Sequence, residues 1–215
     1  MRGIRKIGWL SLLVAAALFV QNAAAGPVEF LPESSHYHGR AYYNTFTDEG
    51  FLSGRIDFAV YDTLGENEFV NAGYTAPGTG QFIYAYQIFS DTASTTALEY
   101  FCIKEIGDNS IDDDDGIGSQ NDSQGGLEPF NAFFNPYPET ERAVWEFDEG
   151  VLVASEHSYF LVFTSDYDWT VGSYDVIPTG GVLPPTTGSG VPEPSTMLLL
   201  GLGGTLMFMR RRKSV

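Results

Sequence analysis

Residues Phe51 to Asp62 read FLSGRIDFAVYD, and this stretch decides the fold class. On an extended chain Leu52, Ile56, Phe58 and Val60 fall on one face, and Ser53, Arg55 and Asp57 on the other. That period of two belongs to a half-buried strand. Residues 81–90, QFIYAYQIFS, are apolar or aromatic on both faces, as a strand covered on both sides must be. The run 96–106, TALEYFCIKEI, reads the same way. Three more segments follow: 142–148 (RAVWEFD), 157–165 (HSYFLVFTS) and 168–177 (DWTVGSYDVI). Turn signals separate them at Asp48-Glu49-Gly50, Ala76-Pro77-Gly78, Asp148-Glu149-Gly150 and Asp166-Tyr167-Asp168. No helical stripe interrupts the pattern between the chain's two ends. About seven or eight short strands predict an all-β domain, a single antiparallel β-sandwich of jelly-roll or Ig-like type.

The two ends follow other rules. Arg2, Arg5 and Lys6 precede an apolar stretch from about Ile7 to Val20, and Ala23-Ala24-Ala25 supplies small residues beyond it. This is the plan of a secretory signal peptide, with a signal helix over the apolar part. Ala23 and Ala25 mark the cleavage site, and signal peptidase would leave Gly26 as the new N-terminus. At the other end, Val191-Pro192-Glu193-Pro194-Ser195-Thr196 leads into an apolar run from Met197 to Met209 and a basic stop at Arg210, Arg211, Arg212 and Lys213. A helix over those 13 apolar residues would cover only ~20 Å of a bilayer core ~30 Å thick. It predicts a short C-terminal hydrophobic helix, a transient membrane anchor with its basic end held in the cytoplasm.

That tripartite end resembles a PEP-CTERM sorting signal. The resemblance covers about residues 191–213 and rests on VPEPST, the glycine-containing apolar run and RRRK. It implies Pro192, Glu193 and Pro194 as the recognised motif. It also implies export in a Gram-negative bacterium, processing of the tail by a membrane-embedded exosortase, and a place at the cell surface or in an exopolysaccharide or biofilm matrix. The nearby Leu183-Pro-Pro-Thr-Thr-Gly188 only approximates the LPxTG signal of wall sortases, because Thr187 stands where glycine is needed. The expected organisation is a signal peptide at 1–25, an ectodomain at 26–177 and a Pro/Thr/Gly linker at 178–190. The sorting tail occupies 191–215, and an acidic insertion at 107–141 interrupts the ectodomain strands.

Charge narrows the partners. The full chain carries a formal −17, yet seven of its 11 Lys and Arg lie in the two targeting ends. Between residues 26 and 190 only Arg40, Arg55, Lys104 and Arg142 face 27 Asp and Glu, a formal charge of −23. Such a surface repels nucleic acid and anionic lipid and attracts cations. With 12 Tyr and 16 Phe in the chain, this acidity does not mean disorder. The one cysteine, Cys102, falls in an apolar strand-like run and reads as a buried, inert thiol.

The candidate sites lie mostly in the insertion. Asp108, Asp112, Asp113, Asp114, Asp115 and Asp122 offer hard oxygen ligands of the kind Ca²⁺ takes. Against an EF-hand loop the match is partial, because Ile111 stands at the first ligand position and Asp122 where a bidentate Glu belongs. Two readings stand: a calcium loop between strands, or a solvated acidic loop that holds nothing specific. His36 and His38 share a face if extended and read as surface histidines or the start of a metal site. Tyr37, Tyr42, Tyr43, Phe133, Phe134, Tyr137, Tyr167 and Trp169 form either core or a sugar-stacking platform. No GxSxG, HExxH, P-loop or GxGxxG occurs, and carboxylates this numerous identify no catalytic pair. The expected function is non-enzymatic, a structural or adhesive surface component. Its rivals are a Ca²⁺-assisted carbohydrate-binding module for extracellular polysaccharide and a glycoside hydrolase.

Overall fold

A computed structural model describes residues 29–47, 50–104, 116–137, 140–147, 152–178 and 186–194. The signal segment 1–25, most of the sorting tail and Asp108 to Asp115 lie outside the described residues. Ten strands and one helix occur among those described. The strands are β1 (Tyr37–Thr47), β2 (Gly50–Asp62), β3 (Phe82–Ser90), β4 (Leu98–Lys104), β5 (Ile117–Gln120), β6 (Asn131–Tyr137), β7 (Thr140–Glu146), β8 (Phe160–Ser165), β9 (Trp169–Pro178) and β10 (Thr186–Pro194). The helix, α1, is a single turn at Glu68–Asn71, capped where the Asn67 side chain accepts from the Val70 N–H. None of the described helices is long and apolar enough to cross a membrane.

The strands form two five-stranded sheets, ordered β1-β2-β3-β8-β5 and β10-β9-β4-β7-β6, with antiparallel pairing throughout. Their facing sides share one aromatic core. Tyr86 of the first sheet meets Phe101 and Trp145 of the second with ring centroids 5.8 and 6.1 Å apart, and Trp145 meets Phe163 at 6.3 Å. Each large side chain withdrawn from water here is worth about 1.5–3 kcal/mol. The Trp145 indole N–H is satisfied by the Gly118 carbonyl at 2.8 Å, so the second sheet is hydrogen-bonded to β5 of the first. At one point the strands close up completely. A Cβ on Gly54 would collide with the Phe89 carbonyl oxygen and the Tyr43 hydroxyl.

All nine residues of β3 are buried, as its two-sided apolar pattern requires. Tyr84, Tyr86 and Ile88 enter the core between the sheets. Ile83 and Ala85 enter a second cluster on the outer side of the first sheet, with Ala59, Tyr61, Phe160, Val162, Leu31 and the α1 residue Phe69. The described N-terminal residues therefore cover the outer side of this sheet.

Three sequence expectations change. The expected strands at 51–62, 81–90, 96–106, 142–148, 157–165 and 168–177 correspond to β2, β3, β4, β7, β8 and β9 within a few residues. The region read as an insertion at 107–141, however, contains β5, β6 and the start of β7. Both sheets need these strands at one edge. The Pro/Thr/Gly segment read as a linker ends in a strand: β10 begins at Thr186 and runs through the sorting motif to Pro194, paired with β9. Main-chain pairing gives this segment the order that its side chains do not encode. β1 was not anticipated, because its inward positions include Gly39 and Ala41 while Tyr42 and Phe46 point to solvent.

Candidate functional site

The most elaborate polar cluster lies on the outer side of the first sheet, next to the second apolar cluster. Strand register aligns Arg40 of β1, Asp57 of β2 and Gln87 of β3 in one row. Asp57 is fully buried, and the Arg40 fork grips it at 2.5 and 2.8 Å. The Glu29 N–H donates to it at 2.9 Å, and Arg55 approaches at 3.7 Å. Donating to the Asp57 carboxylate pushes the Arg40 pKa above its ordinary value, outweighing burial.

One step along the sheet, Arg55 lies flat over Phe89, its guanidinium carbon 3.8 Å from the ring centroid, and pairs with Glu29. Phe89 bridges to His157 across the backbone, and their rings stack at 5.5 Å. Phe30 closes over both, 5.2 Å from His157 and 5.9 Å from Phe89. His157 Nε2 meets Asp122 Oδ2 at 2.7 Å. A carboxylate oxygen accepts, so the Nε2–H of His157 is the donor of this pair.

Asp122 is 2% exposed and receives four donors. Besides His157, the Gln87 amide donates at 2.8 Å, and the N–H groups of Gln124 and Gly126 donate at 3.0 and 3.2 Å. The turn wraps its own carboxylate. Ser123 adopts φ 61°, and Gly126 leaves no room for a Cβ, which would sit 2.7 Å from the Ser158 carbonyl oxygen.

Beside this cluster opens a cleft of ≈ 370 Å³, lined among others by Glu29, Phe30, Arg55, Asp91, Glu156 and His157. Its rim includes Ser155, a non-glycine residue held at φ 71° by a turn in which the Val153 N–H donates to Glu156 at 2.9 Å. The walls present a guanidinium, carboxylates and an imidazole. That chemistry suits a small, hydroxyl-bearing polar ligand.

The second sheet repeats the buried-carboxylate device. Asp175 of β9, 1% exposed, lies between Lys104 Nζ at 2.6 Å and Arg142 at 3.6 Å. Every Lys and Arg between residues 26 and 190 therefore lies within 3.7 Å of one of two buried aspartates, Asp57 or Asp175, and Arg55 pairs with Glu29 as well.

Asp122 stands apart from the other candidate calcium ligands. It is separated from the preceding acidic run by β5, and protein donors already surround its carboxylate. The other five candidate ligands fall outside the described residues. Among the described residues no group of three or more His, Cys, Asp or Glu is arranged to hold a metal ion. The two N-terminal histidines diverge: His36 bonds Asp168 at 2.7 Å, and His38 bonds the Ser34 carbonyl at 2.9 Å.

The aromatic candidates scatter. Tyr43 is core, Tyr37 stacks on Trp169 at 3.5 Å, and Phe134 packs edge-on to Phe163. Tyr42 at 71% and Tyr167 at 38% exposure face solvent. The sequence hid the true cluster, although Gln87 in the middle of a two-sided apolar strand was a signal that a buried polar partner existed. Pro192, Glu193 and Pro194 lie on β10, opposite Val171, Thr170 and Trp169. Ala23, Ala25 and Arg210 to Lys213 lie outside the described residues.

Comparison with known families matches residues 190–213 to the PEP-CTERM protein-sorting motif. No curated protein and no solved structure matches the chain.

Proposed function

We propose, from the premise that residues 190–213 carry a PEP-CTERM sorting signal, that this chain is a non-enzymatic structural or adhesive component of a Gram-negative cell surface or extracellular matrix. The signal implies an exported protein, anchored in the membrane before exosortase processes it. The observation that carries the reading is this signal at the end of an acidic domain of two antiparallel sheets. We read the two sheets as a β-sandwich of the jelly-roll or Ig-like kind.

The electrostatics support the reading. The four basic side chains of the exported stretch gather at two buried aspartates, with Glu29 also paired to Arg55, and 27 Asp and Glu far outnumber them. Such a surface suits cross-linking by divalent cations in a polysaccharide matrix. The cleft beside His157 is the proposed contact for a polysaccharide unit. Its carboxylates are engaged in fixing local chain, Asp91 by the Ser53 hydroxyl at 3.3 Å and Glu156 by the Val153 N–H at 2.9 Å. This favours binding over hydrolysis.

Fractionation of the native host tests the reading. The exported protein is expected to begin at Gly26 and to reside at the cell surface or in the matrix, and a chain lacking 191–215 to escape into the medium. Purified ectodomain is expected to be retained on the host's exopolysaccharide without shortening it. Recovery of the full chain in the cytoplasm, or turnover of the polysaccharide, overturns the proposal.

A further inference from the structure

We propose that docking of β10 on β9 withholds the Pro-Glu-Pro motif from the processing enzyme, and that the tail is read only after β10 peels away. The inference rests on the sorting reading above and adds a conformational gate to it.

The first ground is the register. Pro192, Glu193 and Pro194 are paired with Val171, Thr170 and Trp169 as the last rungs of an antiparallel ladder. An enzyme that reads an extended peptide must take its main chain into its own groove. The same main chain is shared with β9 while β10 is docked.

The second ground is reach. Only Ser195 and Thr196 separate Pro194 from the apolar run that begins at Met197. At ~3.3–3.6 Å per residue this joint spans about 10 Å. A docked β10 thus pins the domain within about 10 Å of the segment that enters the bilayer, which leaves little room for an enzyme between them. Release of residues 179–194 lengthens the tether to more than about 50 Å.

The third ground is charge. Strand β10 ends opposite Trp169, next to the exposed carboxylates Asp166 and Asp168. The exported stretch carries a formal −23. An anionic membrane surface repels a domain held this close, and the repulsion favours the undocked state. Strand β10 hydrogen-bonds to its sheet on one side only and otherwise touches β1 and β2 of the facing sheet, and edge strands open before core strands do.

A reversible cross-link tests the gate. Ser173 and Ser189 are register partners on β9 and β10, so the full chain carrying Ser173→Cys and Ser189→Cys closes a disulfide across the docked pair. Exported in the native host, the oxidised form is expected to keep the residues beyond Pro194 by intact mass, with processing slowed at least about tenfold. Reductant is expected to restore the native rate, and the chains carrying only Ser173→Cys or only Ser189→Cys to be processed normally. Processing of the cross-linked chain at the native rate overturns the proposal. Hydrogen exchange on the unprocessed native chain gives an independent reading: protection over 186–194 supports docking, and exchange at the free-peptide rate refutes it. A native chain that keeps its tail fails the sorting reading itself, an outcome distinct from a cross-linked chain that loses it.

Discussion

His157 and Asp122 join the segment leading into β8 to the turn leaving β5 through one 2.7 Å bond, 35 residues apart in sequence. Around that bond converge the Gln87 amide and two backbone N–H groups. Replacing Asp122 with Ala leaves four donors in a buried site without their acceptor. Hydrogen bonds to a charged group are worth about 1.5–3 kcal/mol each and do not add fully. We expect Asp122→Ala to cost about 3 kcal/mol or more and His157→Ala less, since it removes one donor of the four. Urea unfolding midpoints measure both. A loss under about 1 kcal/mol for Asp122→Ala would show that the turn holds without its carboxylate.

The two aspartates gripped by cations should behave unlike the rest. Asp57→Asn or Asp175→Asn breaks a buried pair and is expected to cost about 3–5 kcal/mol. Glu128, exposed on its loop, should tolerate Gln within about 0.5 kcal/mol. Added salt should raise the melting temperature of the native chain, because its unbalanced carboxylates repel one another less when screened. A melting temperature that falls with salt would mean that the buried pairs, not the surface, dominate the electrostatics.

Alkaline pH should unfold the protein through its tyrosines. The hydroxyls of Tyr43, Tyr61 and Tyr174 donate to the carbonyls of Phe89, Pro32 and Tyr42. Burial raises the Tyr43 and Tyr61 phenols well above their ordinary value and pushes Tyr174 up to about 12. The folded chain holds these protons more tightly than the unfolded one. Their contribution is complete below about pH 10 and is lost as pH climbs through the folded-state values. Tyrosinate absorbance should therefore rise together with loss of the near-ultraviolet circular dichroism. Full ionisation with tertiary signal intact would contradict the burial of these rings.

Cys102 provides a probe of the second sheet. Burial, reinforced by nearby Asp175, pushes its thiol up to about 12. A disulfide-exchange reagent at pH 8 is expected to leave the native chain unlabelled and to modify one thiol after denaturation. Fast labelling with the native dichroism unchanged would place the thiol at an accessible surface.

Gly54 tests the closest approach of chains in the first sheet. A methyl group there meets the Phe89 carbonyl oxygen and the Tyr43 hydroxyl, and the backbone oxygen has little room to retreat. Gly54→Ala is expected to cost about 1–3 kcal/mol or more, read as a drop in melting temperature. An unchanged melting temperature would mean that β2 and β3 shift apart freely.

The strands legible in the sequence were those with a strong apolar rhythm. β2 announced itself through Leu52, Ile56, Phe58 and Val60, and β3 through apolar residues on both faces. β5 and β10 lack that rhythm: their sequences, IGSQ and TTGSGVPEP, are polar or rich in small residues. Both are edge strands, defined by one neighbour's hydrogen-bonding groups rather than by their own side chains. The polar cluster was hidden for another reason. Alternation placed Asp57 on the outer face, as found, but could not reveal that the segment around Glu29 folds back over it. Asp122 follows the acidic run in sequence, and only the fold shows that β5 separates it from that run and that Gln87 and His157 reach it.

The outermost position of β10 has a further consequence for crowded surroundings. Along an antiparallel ladder successive N–H groups alternate between the bonded side and the open side, so residues 192 and 194 address the same side. Both are proline and offer no N–H. Prolines at such positions are tolerated where their nitrogens turn away from the ladder, and a second chain approaching that edge then finds two successive rungs without a donor. The residues that address the protein for export thereby also leave the outer edge of β10 poor in donors for strand addition by a neighbouring copy.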